Sequence, residues 1–125
     1  MSNNQRFLKS YNAGGAIAAN SIVKVGANDY DVLQGAAATD DLIGVTTETA
    51  SIAAERVDVV HTGVADVKLG GTVARGKPVS SDASGFGIQA APGAGINNRV
   101  VGVALISGVA GDIIPVLVAP STLQG

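Results

Sequence analysis

One segment of the sequence has the glycine and lysine spacing of a phosphate-binding loop, whose backbone amides cradle the phosphates of a nucleotide. Residues 71–77 (GTVARGK) fit the G-x-x-x-x-G-K part of that motif. Pro78 then occupies the position of the Ser or Thr whose hydroxyl would hold Mg²⁺. Residues 79–87 predict a strand and a turn, whereas the motif requires a helix that faces the phosphates. We therefore interpret the segment as a hairpin with a Gly-Lys-Pro corner.

Lys77 suggests a second chemistry, because small β modules that carry lipoyl or biotinyl groups present the modified lysine at a hairpin tip. In such modules the lysine normally has acidic or methionine neighbours, whereas Gly76 and Pro78 flank it here. A solvated surface lysine is the other interpretation. A carrier or small-ligand β module that uses Lys77 is kept as the alternative functional hypothesis.

His61 is the only histidine of the chain, and a catalytic or zinc-binding role would require partners. The sequence contains no cysteine and no G-x-S-x-G motif. A Ser-His-Asp triad or a zinc site needs several such groups. His61 is followed by Thr62 and Gly63, and we interpret it as the end of a strand at a turn.

Two pairs of aspartates, Asp29 with Asp31 and Asp40 with Asp41, could suggest acid–base catalysis or a calcium site. Their spacing matches no calcium-binding loop. An aspartate beside Ala or Gly in a turn normally accepts hydrogen bonds from backbone N–H groups. The sequence thus predicts no catalytic residue, no metal site and no cofactor, and we expect a protein that is not an enzyme.

The composition predicts one compact domain with a surface that is poor in charge. Charged residues make up 14% of the 125 residues, against about 25% in ordinary soluble domains, and hydrophobic residues make up 46%. Such a chain can hide part of an apolar exterior against partners, which points toward an assembly. The apolar residues are mostly Ala and Val, and the small branched side chains among them favour sheets over helices.

The net charge and the distribution of apolar residues argue against binding to nucleic acid or an anionic membrane and against secretion. The net charge is −2, so no overall charge attracts nucleic acid or an anionic membrane. No run of 18 apolar residues is present, and residues 1–10 lack the apolar region of a secretory signal. Together with the absence of cysteine, this leads us to expect a protein that is made and kept in a cytosol.

From Ile17 onward, short apolar runs alternate with turn signals, a pattern typical of an all-β sandwich or barrel. The predicted fold class is therefore all-β, a small β-sandwich or barrel with a flexible N-terminal arm. Residues 49–56 are predicted as a loop, with a short helix as the alternative. The predicted strands are 21–25, 30–33, 42–46, 56–60, 64–69, 77–80, 99–106 and 113–118.

Two of these strands differ in the side chains that they would expose. The run 64–69 alternates between apolar and charged residues, which predicts one buried and one solvated face. The run 99–106 is apolar on both faces, which places it centrally in the sheet or at a contact between subunits. We expect Val101, Val103 and Leu105, which share one face in this alternation, to form the subunit interface.

The chain is divided by these patterns into an arm, a β domain over residues 13–120 and a short tail over residues 121–125. Residues 1–12 are polar with scattered large side chains and lead into a flexible glycine pair. One interpretation is a disordered terminus without a function. The other is an arm that becomes ordered on a partner, anchored by aromatic side chains and by basic groups. The expected contacts of the arm are Arg6, Phe7, Leu8, Lys9 and Tyr11.

Three stretches of the sequence are informative in their order: AAATDDLIGVTTETASIAAERVDVVHTGVADVKLGG, ARGKPVSSDASG and NNRVVGVALISGVAGDIIPVLVAP. Taken in this order, they resemble a family of capsid decoration (head cement) proteins of tailed bacteriophages. The likeness lies in an Ile-Gly-Val strand, a Glu-Arg-Val-Asp-Val strand, a Gly-Gly hairpin and a Gly-Asp-Ile-Ile segment near the end. It covers residues 13–120, nearly the whole predicted domain.

The resemblance implies a structural protein that binds the outside of an assembled head, commonly as a homotrimer, and stabilises it. The implied partners are the major capsid protein and further copies of the chain, with no nucleic acid, no membrane and no small-molecule substrate. The implied location is the capsid exterior of the virion, after assembly in the host cytoplasm. The family has no active site, so no residue inherits a catalytic role.

Overall fold

The architecture is known from a computed structural model, which describes residues 6–47 and 49–125. The predicted all-β fold is confirmed, and no helix within these ranges is long or apolar enough to cross a membrane. The strands are β1 (Phe7–Ala13), β2 (Ile22–Val25), β3 (Asp31–Gln34), β4 (Leu42–Thr46), β5 (Arg56–Lys68), β6 (Pro78–Ser81), β7 (Gly87–Gln89), β8 (Asn97–Ala104) and β9 (Ile113–Gln124).

Strands β1 to β5 form a closed five-stranded barrel. The strand order is β1-β3-β2-β4-β5, and pairing between β1 and β5 completes the ring. Every second residue of a strand points to the same face, so alternate valines fill the interior. Closure also removes the exposed edges that an open sheet would present. The interior cluster consists of Ala13, Ile17, Val23, Val32, Val57 and Val59, with Tyr11 and Ile43 packed against it.

The second half of the chain adds a sheet in the order β5-β9-β8-β6-β7, so β5 belongs to both halves. A bridge between Leu69 and Gly87 brings β7 back beside the end of β5, which curls this sheet around its own core. Strands of the barrel also contribute to this core, because Ile22 faces away from the barrel interior that Val23 fills. The second cluster comprises Ile22, Leu42, Val45, Val60, Ala65, Val67, Leu69, Val73, Val79, Val101, Ala104, Ile114, Val116 and Val118.

Strand β5 joins two runs that the sequence pattern predicts as separate strands. Gly63 has a φ of 102°, a conformation that only glycine adopts readily, and the backbone passes through it without a reversal. Beyond Gly63 the predicted alternation is confirmed, since Ala65 and Val67 are buried and Asp66 is exposed. The interpretation of His61 as a strand end is wrong, because that residue lies inside β5.

The remaining predictions are confirmed for the loop before β5 and for the position of β8, and they differ from the structure at β7 and at the end of β9. Residues 49–55 form a loop, as predicted, held by a bridge between Ile17 and Ser51. Strand β8 lies between β9 and β6, so its central position is confirmed. Strand β7 has no predicted counterpart. The predicted tail over residues 121–125 differs from the structure, because β9 continues to Gln124 by pairing with β8.

The N-terminal segment also differs from the predicted flexible arm. Residues 1–5 lie outside the described residues, whereas Phe7–Ala13 is strand β1, which pairs along β5 as far as Arg56. The physical reason is that β5 offers a strand edge, where the backbone N–H and C=O groups of a polar segment find partners without any apolar alternation of their own. The arm residues from Phe7 onward are therefore a structural part of the barrel.

Candidate interaction surfaces

Strand β1 presents large side chains to solvent although its backbone is held in the barrel. Phe7 and Leu8 are 64% and 43% exposed, and Arg6 and Lys9 are also exposed. The last of the predicted contact residues, Tyr11, is partly buried and packs against the barrel core. The five predicted contact residues thus lie close together along β1 and the residue before it, with two apolar and two basic groups that are accessible to a partner.

A short chain of hydrogen bonds fixes β1 against β5 and β4. The hydroxyl of Tyr11 lies 2.6 Å from Nε2 of His61, and Nδ1 of His61 lies 3.0 Å from the carbonyl oxygen of Ile43. Because a carbonyl can only accept, Nδ1 carries the proton and Nε2 accepts from the Tyr11 hydroxyl. The two rings meet edge to face at 5.5 Å. The single histidine therefore has a positioning role for the exposed strand.

Lys9 lies between two tyrosine rings on this surface. Its ammonium nitrogen is 5.6 Å from the ring centroid of Tyr11 and 5.5 Å from that of Tyr30, within the range of cation–π attraction. Tyr30 is 67% exposed and has a φ of 66°, an uncommon backbone conformation for a bulky residue. The sequence pattern predicts only a strand at Tyr30, because no local signal links it to a lysine 21 residues away.

A second surface lies on the outer face of β5, β9, β8 and β6. Val64 pairs with Leu117, Leu117 with Val103, and Val103 with Pro78, so one row of apolar residues crosses four strands. Residues in direct register share a face of the sheet, so their side chains lie beside one another. Further exposed apolar residues lie in the segment between β8 and β9 and at the start of β9. The large ones are Leu105, Ile106, Val109 and Ile113.

Two of the three residues predicted for the subunit interface belong to this surface, and Val101 does not. Val103 and Leu105 are 37% and 39% exposed, whereas the Val101 side chain is fully buried in the second core. The register with β9 shifts between Val100 and Gly102, which breaks the alternation of faces on which the prediction depended. The prediction for Val101 is wrong, since its side chain cannot reach a neighbouring subunit.

The aspartates act as caps and ion-pair partners. Asp40 accepts a hydrogen bond from the backbone N–H of Ala36 and lies 3.2 Å from the ammonium group of Lys24, while Asp41 pairs with Arg99 at 2.7 Å. These contacts join the loop between β3 and β4 to strands of both halves. In residues 6–47 and 49–125, no group of three acidic or histidine side chains is close enough to hold a metal ion.

Lys77 lies outside the cleft at the junction of β4 and β5. The segment with phosphate-loop spacing leads into strand β6 and not into a helix, as predicted, and Lys77 lies exposed in the turn before it. A cleft of about 170 Å³ lies where β4 ends and β5 begins, which is small beside the roughly 300–1,000 Å³ of typical ligand pockets. Its lining residues are Thr47, Thr49, Ser51, Arg56, Val57 and Asp58.

Comparisons with known proteins identify a similar fold. The chain matches no protein-family model and no curated protein sequence. Among solved structures it is similar to the head fiber gp8.5 N base of bacteriophage phi29, with a TM-score of 0.66 and 14% sequence identity. The alignment covers 97% of this chain and 100% of the phi29 chain. The likeness extends over both halves of the fold and thus establishes the same all-β architecture.

Proposed function

We propose that this chain is a structural protein of a tailed-phage head that binds the outside of the assembled capsid and stabilises it. The observation that carries the proposal is the likeness over nearly the whole chain to a base domain of a phage head fiber. The order of the three sequence stretches that resemble capsid decoration proteins supports the same assignment. In this proposal the protein acts without catalysis or a cofactor, on the exterior of a virion assembled in the host cytoplasm.

The capsid-facing surface in this proposal is strand β1 with Arg6 before it. Its exposed residues Phe7 and Leu8 supply apolar anchors, and Arg6 and Lys9 supply positive charge at the rim. Interfaces of this kind bind through a few well-packed apolar or aromatic residues surrounded by polar ones. Because β1 is held in the barrel, these side chains lose less conformational freedom on binding than those of a free arm would.

Stabilisation of the shell follows from mass action. A protein that binds the assembled shell better than its free subunits shifts the equilibrium toward assembly. We propose a homotrimer, as the resemblance implies. A homo-oligomer engages several sites of the lattice at once, and this strengthens a modest contact.

Sedimentation with empty heads that lack this protein tests the proposal. We expect the wild-type chain to pellet with the heads and to raise their melting temperature. The double variant Phe7→Ser/Leu8→Ser should remain in the supernatant, because it loses both apolar anchors and keeps the backbone pairing of β1. Deleting residues 1–12 would be a poor test, since it removes the strand that closes the barrel.

Ile52→Ser is the matched control, because Ile52 is 65% exposed, close to the exposure of Phe7, and lies in the loop before β5. The control should bind heads like the wild type. The proposal fails if the wild-type chain does not bind heads at saturating concentration. The assignment of the surface to β1 fails if the double variant binds as well as the wild type while its circular dichroism melt is unchanged.

A further inference from the structure

The outer face of the second sheet carries a second row beside the apolar one. Asp66 of β5 pairs with Pro115 of β9, and the carbonyl oxygen of Pro115 accepts a hydrogen bond from the N–H of Leu105 at 3.1 Å. Beyond Leu105, the N–H of Gly76 donates to the carbonyl of Ala104 at 2.7 Å. The row therefore runs from an acidic residue across two apolar residues to the turn of residues 74–77.

The two ends of this row carry opposite charges. Asp66 is exposed at the β5 end, and Arg75 and Lys77 are exposed in the turn at the β6 end. None of the three forms an ion pair with another described residue. Lys68, the nearest base to Asp66 along β5, lies over the ring of Phe86 at 5.3 Å from its centroid. This row is thus apolar in the middle, negative at one end and positive at the other.

We propose that this face is the contact between two copies of the chain, with Asp66 of one copy opposite Arg75 and Lys77 of the next. A row with opposite charges at its ends is complementary to the same row in the reversed direction. The apolar middle of this row, Pro115 and Leu105, would then be buried between the copies together with Leu117 and Val103 of the adjoining row, while the charges pair at the rim. The inference rests on the proposed function for the expectation that copies assemble.

A second copy fits this surface better than the capsid does. An unrelated partner would need its own acidic and basic groups at matching positions, whereas a second copy supplies both by symmetry. The apolar row across four strands also needs cover, because contiguous exposed apolar surface of this kind marks a contact site. Val64 and Pro78 at its ends are already partly covered by neighbouring residues, so the accessible centre is Leu117 and Val103.

Charge exchange within one chain tests the contact by sedimentation equilibrium of the pure protein without heads. Asp66→Lys alone, and Arg75→Glu with Lys77→Glu, should each raise the dissociation constant of self-association by about tenfold or more, because like charges then face each other. The three substitutions together should restore association to within about threefold of the wild type, since both ends are exchanged and remain complementary. Asp29→Lys, at an exposed aspartate of the turn between β2 and β3, is the matched control.

The outcomes separate this inference from the proposed function. Restoration by the triple exchange supports a contact between copies, because a different partner would keep its original charges. The inference is overturned if the wild type stays monomeric up to the solubility limit, if the variants exchanged at one end only associate like the wild type, or if the triple exchange associates no better than they do. A monomeric wild type that still pellets with heads would leave the proposed binding to the capsid standing and would remove the contact between copies.

Discussion

The hydrogen bond between Tyr11 and His61 provides a quantitative test of how β1 is held. Tyr11→Phe removes one hydroxyl and leaves the ring, so its packing and the edge-to-face contact with His61 are preserved. An intramolecular hydrogen bond contributes about 0.5–1.5 kcal/mol, and a buried acceptor left unsatisfied costs about 1–3 kcal/mol. His61 is only partly buried, so water can reach Nε2 and the lower range applies. We expect Tyr11→Phe to lower the free energy of unfolding by about 1 kcal/mol.

Urea unfolding followed by far-UV circular dichroism measures this loss, which corresponds to a decrease of roughly 3–5 °C in Tm for a domain of this size. Tyr30→Phe is the matched control, because Tyr30 is exposed and its hydroxyl should contribute little. A double-mutant cycle of Tyr11→Phe with His61→Ala isolates the pairwise term, which should be about 1 kcal/mol. A coupling free energy near zero, with Tyr11→Phe as stable as Tyr30→Phe, would refute the idea that this contact holds β1.

Two further predictions concern the same strand and the β8–β9 pair. Burial raises the pKa of Tyr11 above its ordinary value of 10.0, so the folded state holds this proton more tightly than the unfolded state does. The stability contribution should persist below about pH 10 and be lost as the pH rises through the folded pKa. Tyrosinate absorbance of the Tyr30→Phe variant, with Tyr11 as its remaining tyrosine, should titrate above that ordinary value, and titration at or below it would contradict this. Gly102→Ala should lower the free energy of unfolding by about 2 kcal/mol or more, because the added Cβ meets the carbonyl oxygen of Leu117. Gly71→Ala is the control, because its added Cβ comes no closer than 3.4 Å to Ile88, and it should change the free energy of unfolding by under about 0.5 kcal/mol. Equal losses of stability for the two variants in thermal melts would argue against the backbone clash as the cause.

Local sequence patterns predict this fold where the structure depends on alternation and turn chemistry. The run from Leu42 to Thr46 has the predicted bounds, and the buried and exposed faces of residues 64–69 follow from a period of two. Turn aspartates also behave as expected. Asp82 accepts hydrogen bonds from the N–H groups of Ser84 and Phe86, and Asp112 accepts one from that of Val109.

The sequence does not predict features that depend on pairing between distant segments. Residues 7–12 are polar and irregular, and their strand exists because β5, about 50 residues away in sequence, offers an edge. The burial of Val101 depends on a register shift between β8 and β9, which no local sequence pattern predicts. Gly63 illustrates the same limit, because a glycine at positive φ can end a strand or, as here, allow it to continue through a bend.

The long strand β5 links the two candidate surfaces and sets the distance between them. Strand β1 pairs with β5 up to Thr62, and the apolar and charged rows begin at Val64 and Asp66 of the same strand. At about 3.3 Å per residue, Thr62 and Val64 are separated by roughly 7 Å along a paired backbone. A contact between copies at the rows would therefore hold their β1 surfaces at a defined spacing. If that spacing matches neighbouring sites of a capsid lattice, each additional copy binds at a high effective concentration. Variants that abolish self-association but leave β1 intact should then still bind heads, with the weaker affinity of a single site.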